Sequence, residues 1–154
     1  LGTVLSPANV NEVVGSSVMY FRTRIPRNVT LSYNGLAIAP VQAMINGALF
    51  EWVVENLLKN SLDALQGQGE IDVRISDDLE WVYIDVKDTG KGIPKSNFKR
   101  IFEPGFTTKT RGWGLGLSLS RRIIEEYHKG RIYVVDSEPG RGTTIRIALK
   151  RLYA

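Results

Sequence analysis

The chain of 154 residues contains no cysteine. That excludes a disulfide framework and a thiolate metal site, and it agrees with a cytosolic setting. No apolar run approaches the roughly 20 residues needed to cross a bilayer as a helix. The first twenty residues lack a basic start followed by an apolar block, so no secretory signal is legible. Internal repeats and low-complexity tracts are absent, as is any Walker A pattern. The chain also starts without Met, which reads as a piece excised from something longer.

What is present is an ordinary globular balance, 43% hydrophobic and 23% charged, at a length that fits one domain with a real core. The formal net charge is +4. Most basic residues are scattered among acids, but Lys95, Lys99, Arg100, Lys109 and Arg111 gather around a glycine run, with Arg121 and Arg122 just beyond. A compact basic loop around glycines suits a polyphosphate better than a duplex, so nucleic acid is not expected as a partner.

Periodicity predicts a helix over 9–24 with Asn9 as N-cap, ended by Pro26, and a short strand over 29–33. Residues 34–46 read as irregular. A long helix is expected over 48–66, with Leu49, Trp52, Val53, Leu57, Leu62 and Leu65 on its apolar face and Gly67-Gln-Gly69 as its stop. Alternation predicts a hairpin of strands 70–76 and 81–87 and a second hairpin of strands 131–136 and 143–150. Between them lie a long loop over 88–113, with a short helical turn near 97–101, and a helix over 114–128. A loop of that length inside a small domain is usually functional or disordered. The sum is a two-layer α/β sandwich: one mixed, mostly antiparallel sheet covered on one face by about three helices.

Four short stretches carry chemistry. In "ENLLKNSLDAL", Asn56, Asn60 and Asp63 share one helical stripe, while Leu57, Leu58, Leu62 and Leu65 point largely elsewhere. The stripe is compatible with a solvated face. Asparagine, however, competes with the helix for backbone hydrogen bonds, and its carbonyl oxygen is a reasonable Mg²⁺ ligand when phosphate oxygens and waters supply the rest. In "IDVKDTGKGIP", Asp88 continues the inward parity of Val82, Ile84 and Val86. A carboxylate there must be paired. It opens an Asx turn into Thr89-Gly90, or it accepts from an exocyclic amine at the bottom of a base pocket, with Gly90 and Gly92 letting a flat ring approach the backbone. In "IFEPGFTTK", Phe102 and Phe106 pin the loop to the core, ahead of Thr107, Thr108 and Lys109. In "RGWGLGLSL", glycines at alternate positions open a helix, whose first turn presents N–H groups and a positive dipole end.

Taken in order, these stretches resemble the N, first glycine, F and second glycine boxes of the GHKL ATP-binding superfamily. More narrowly, the chain resembles the catalytic ATP-binding domain of a bacterial sensor histidine kinase, with "GRGTTIRIAL" similar to its closing strand. The resemblance covers nearly the whole chain and implies the Bergerat α/β sandwich, ATP and Mg²⁺ as cofactors, and a set of roles. Asn60 would ligate Mg²⁺, with Asn56 beside the phosphates or the metal. Asp88 would bind the adenine amino group, and Gly90, Gly92 and Ile93 would shape its pocket. Gly112, Gly114, Leu115, Gly116 and Leu117 would form a lid over the phosphates, entered through Thr107, Thr108 and Lys109. Thr143 or Thr144 would back the base. Phe102 and Asp63 fall within the nucleotide-binding set, and Lys109 joins Asn56 and Asn60 as a catalytic group.

Two departures stand out. Asp63 occupies a place where many sensor kinases carry a cation, so Lys59, Lys109 or Arg111 would have to meet the phosphates. Trp113 is bulky where a small residue is common. The resemblance further implies a histidine phosphoacceptor on a separate dimerisation domain, a response regulator downstream, and a cytoplasmic position without membrane contact by this part of the protein. The single histidine, His128, stands at a helix end and reads as a cap that helps the dipole rather than as the acceptor. A GHKL hydrolase would place a glutamate where Asn56 stands; Glu55 is adjacent but rotated by about 100°. A serine kinase of the same fold and a non-enzymatic nucleotide-sensing module remain as alternatives.

Overall fold

The computed structural model describes residues 4–35, 40–106 and 116–153. Strand β1 (Ser6–Asn9) runs straight into helix α1 (Val10–Arg22), because Asn9 ends the one and caps the other, its Oδ1 accepting from the Glu12 N–H at 3.3 Å. Then come β2 (Val29–Asn34), β3 (Gln42–Ile45) and the long helix α2 (Gly47–Leu65). Hairpin β4 (Gly69–Asp77) and β5 (Trp81–Asp88) leads to two short 3₁₀ turns at Lys95–Asn97 and Arg100–Phe102. Helix α3 (Gly116–Arg122) continues into a π turn, Ile123–Tyr127, and hairpin β6 (Arg131–Glu138) and β7 (Gly142–Lys150) closes the fold.

The main sheet has the order β2-β4-β5-β7-β6. Its one parallel pair is β2 with β4, and every other neighbour is antiparallel. A parallel pair needs a crossover, and α2 supplies it, which lays this helix across the sheet. One face buries Ile71, Val73, Ile75, Val82, Ile84, Val86, Ile145, Ile147 and Leu149 against the helices. From α2 the buried set is Phe50, Val53, Val54, Leu57, Leu58, Ser61 and Leu65. The opposite face carries polar cross-strand pairs, such as the two-pronged Arg146–Asp85 bridge at 2.7 and 2.9 Å, with the same guanidinium over the Tyr83 ring. This is the two-layer α/β sandwich that alternation and helical periodicity predict.

Several details differ from those expectations. Residues 34–46 are not all irregular: β2 reaches Asn34, and β3 pairs antiparallel with β1 as a two-stranded ribbon that buries Ala43 and Ile45. A four-residue strand has too few alternations to stand out, and its partner defines it. On α2, Phe50 and Leu58 are core residues, whereas Trp52 is 39% exposed. The helix expected over 114–128 is α-helical only to Arg122 among the described residues; beyond it the His128 N–H bonds Ile123 O at 3.1 Å, an i→i+5 step. Instead of one turn near 97–101, two 3₁₀ turns flank residues 98 and 99.

Candidate functional site

The site forms where the last turns of α2 meet the C-terminal end of β5. Asn56 and Asn60 are half-buried one turn apart, and Asp63 is exposed on the next. Glu55, by contrast, is held by Arg24, just past the end of α1, at 3.0 Å, on another side of the helix. The amide of Asn56 donates to Ser120 Oγ at 3.0 Å, which ties α2 to α3. Gly116 makes that approach possible, since a Cβ on it would lie 2.9 Å from Asn56 Oδ1 and 3.0 Å from Nδ2.

Asp88 ends β5 with its side chain on the core face, and the residue is only 4% exposed. Its Oδ1 accepts from the Gly90 N–H at 2.9 Å, so the Asx turn is present. The Ser61 hydroxyl and the Thr143 backbone N–H also donate to this carboxylate. Burial pushes its pKa above the ordinary carboxylate value, against the pull of those three donors. The carboxylate thus ends β5 with its charge desolvated and its donors fixed by the chain itself.

The glycines after Asp88 serve the protein's own backbone. A Cβ on Gly90 would sit 2.6 Å from Ala64 O in the last turn of α2, the same carbonyl that accepts from Lys91 N–H at 3.1 Å. Gly92, at φ +73°, would drive a Cβ to 2.0 Å from Glu138 O. These positions therefore clamp the loop between α2 and the β6–β7 hairpin, whatever ring lies beside it. Ile93 is half-buried, and its N–H donates to Ser137 Oγ at 2.8 Å. Ser137 in turn lies 2.8 Å from Thr143 Oγ1. Thr143 pairs with Asp88 across the strands and shares its face, whereas Thr144 pairs with Lys87 and lies on the other. Phe102 is buried and Phe106 half-buried with the Arg100 guanidinium 5.5 Å from its ring, as expected of residues that pin the loop. Leu117 packs half-buried against the core. Thr107, Thr108, Lys109, Arg111, Gly112, Trp113, Gly114 and Leu115 lie outside the described residues.

Ser61, Ser120 and Ser137 escaped the sequence reading. Ser61 has a signal, a hydroxyl on the buried arc of α2. Ser120 has the same one, at 0% exposure on α3. Ser137 has none, because a bulge between Val134 and Asp136 reverses the parity of β6 and turns it inward. His128 caps the helix end, as expected, but differs in its charge. It is buried, its Nδ1 lies 2.9 Å from Ile123 O, and its Nε2 accepts from Asn46 N–H at 3.1 Å. Burial lowers its pKa, so it is a neutral clip between two elements and not a charged partner of the helix dipole.

The described residues hold no cluster of three or more His, Asp or Glu side chains fit for a metal. Two amides alone are a poor Mg²⁺ site, but they fit an ion whose other ligands are water and phosphate oxygens. The donor set therefore suits a metal that arrives with a nucleotide.

The amide-bearing helix and the buried, donor-ringed aspartate thus lie on the core side of one α/β sandwich. Residues 46–152 match the family described as histidine kinase-, DNA gyrase B- and HSP90-like ATPases, and the chain belongs to that family. Sporulation kinase A of Bacillus subtilis is 43% identical over 96 residues, 62% of this chain and 16% of that protein. The nitrogen regulation protein NtrY of Azorhizobium caulinodans is 32% identical over 157 residues, 96% of this chain and 20% of that protein. The nucleotide-free catalytic domain of histidine kinase ThkA superposes with a TM-score of 0.84 at 28% identity, covering 95% of both chains. ThkA in complex with the response regulator protein TrrA gives a TM-score of 0.82 at 26% identity, over 96% of this chain and 42% of that one. The chain is thus a catalytic ATP-binding domain of the sensor histidine kinase type, and it spans about a sixth to a fifth of these curated relatives. Among the described residues no helix is long and apolar enough to cross a membrane.

Proposed function

We propose that this domain binds Mg·ATP between α2 and the loop after β5, and delivers the γ-phosphoryl group to a histidine on a separate helical domain of the same kinase. The observation that carries this is Asp88, a buried carboxylate whose pKa is raised and whose donors all come from fixed backbone or a short side chain. Such a group accepts from the adenine amine, directly or through water, without rearranging. Asn60 and Asn56 would hold the ion at the phosphate end, and bound Mg²⁺ would neutralise charge on the transferring oxygens. Leu117 and Gly116 border that end, with Thr107, Thr108, Lys109, Gly112, Gly114 and Leu115 proposed to complete it as a lid. Ile93, Gly90 and Gly92 would frame the base, backed by Thr143.

Phosphoryl transfer asks the protein for position and charge, not for a base of its own. The geometry agrees, since Glu55, the nearest carboxylate in sequence to the place of a hydrolase's base, is engaged with Arg24. The response regulator is a proposed downstream partner, by analogy with the ThkA–TrrA complex. Calorimetry with ADP and with Mg·ATP tests the reading. Asn60→Ala should weaken Mg·ATP by about tenfold or more while leaving metal-free ADP nearly unchanged. No heat from the wild type with either nucleotide overturns it.

A further inference from the structure

Ser120 is fully buried in α3, and its hydroxyl has two partners. It donates to Gly116 O at 2.8 Å, one turn back along its own helix. It also lies 3.0 Å from the Asn56 side-chain nitrogen on α2. A serine hydroxyl has a single proton. With that proton on Gly116 O, Ser120 can only accept, and the end of the Asn56 amide that faces it must be the N–H.

We propose that Ser120 is a positioning residue for the phosphate end of the site. By accepting only, it fixes which way round the Asn56 amide sits, so that the carbonyl oxygen is the end an incoming metal–phosphate group meets. A primary amide is nearly symmetrical in shape, and nothing in packing alone distinguishes its two orientations. A Cβ on Gly116 would meet the amide oxygen at 2.9 Å and the amide nitrogen at 3.0 Å, so this close approach crowds both ends of the amide alike and does not choose an orientation. The choice falls to the Ser120 lone pair. Because Ser120 and Gly116 both belong to α3, the arrangement also makes the Asn56 carbonyl depend on the seating of that helix. The inference rests on the reading that Asn56 lies beside the metal and phosphates.

Ser120→Thr keeps the hydroxyl, and Ser120→Val has the same shape without it. Calorimetry of ATP in Mg²⁺ and in excess chelator gives, for each, the gain in affinity that Mg²⁺ supplies. The gain in Ser120→Thr should match wild type, while in Ser120→Val it should fall by about tenfold, as for other residues that orient a metal ligand. Metal-free ATP affinity should agree between the two within a factor of about two. Equal Mg²⁺ gains in the Thr and Val variants would overturn the proposal while leaving ATP binding intact. A wild type that binds no ATP would instead overturn the function it rests on. Should the branched side chains prevent folding, Ser120→Ala is titrated against wild type: a reduced gain supports the proposal, and an equal gain overturns it.

Discussion

Asp88, the proposed adenine acceptor, carries a burial cost at a single residue. Its folded pKa is raised by burial, while the unfolded chain ionises near the ordinary value of 3.8. Across the interval between the two, the folded state binds the extra proton, so stability falls as pH rises through it. Ionising the group in the fold is therefore a net cost that a neutral isostere avoids. Asp88→Asn should lose adenine-nucleotide binding by about ten- to a hundredfold, the worth of one hydrogen bond to a charged group. Its stability relative to wild type should improve between about pH 4 and about pH 7, as read by urea unfolding at both pH values. A difference that stays flat with pH would show that the carboxylate does not carry the burial cost. Gly142 is the second sensitive point. At φ +106° it passes so close to the strand end that a Cβ would meet Asp88 O at 1.9 Å. Gly142→Ala should cost about 2–4 kcal/mol in thermal unfolding, from backbone strain and overlap together, and should weaken ADP binding by displacing the same strand end.

At the scale of elements, two ties decide how the site is assembled. The first joins the N-cap of α2 to the π turn after α3. Asn46 caps α2 by accepting from Leu49 N–H at 3.1 Å, while its own N–H goes to His128 Nε2 at 3.1 Å. His128 Nδ1 then donates to Ile123 O, so this imidazole must be neutral to serve both partners. Because its folded pKa is depressed, the unfolded chain protonates first as pH falls through about 6.5, and folding stability declines from there until the folded group also titrates. His128→Ala should remove that slope and cost about 2–4 kcal/mol at neutral pH, since it orphans the Asn46 N–H and leaves a cavity, while Ile123 O keeps the backbone N–H of residue 128. Denaturant titrations of both proteins at about pH 7 and about pH 5 check this. The second tie is the clamp of β6–β7 on the loop after β5, where the Gly140 N–H reaches Lys91 O at 2.6 Å and Ser137 reaches Ile93 N–H at 2.8 Å. The hairpin thus acts as the far wall of the proposed base pocket.

For the molecule as a whole, the sandwich leaves His128 at 6% exposure and fully engaged, so the one histidine of this chain is no acceptor for a phosphoryl group. Incubated alone with Mg·ATP labelled at the γ position, the chain should stay unlabelled, and a histidine-bearing helical hairpin added in trans should take up the label. Acid-stable label on the chain itself would point instead to serine chemistry. The helices, the two long hairpins and the parity that sends Asp88 inward follow from periodicities of 3.6 and 2, because burial of one face imposes them on the sequence. The amide stripe on α2 and the glycine-flanked Asp88 are legible for the same reason: each breaks a local preference, with Asn in mid-helix and a carboxylate on an apolar face. Other features depend on partners distant in the chain. The β1–β3 ribbon exists only through its pairing, and the β6 bulge that turns Ser137 inward is a product of register. Which backbone the glycines at 90, 92 and 142 admit, and which serines hold Asn56 and Asp88, were settled when α3 and the closing hairpin packed on α2. Local pattern determined the helices, the long hairpins and the inward acid; close approach of strands and helices far apart in sequence decided the β1–β3 ribbon and the hydrogen bonds that bring the candidate site together.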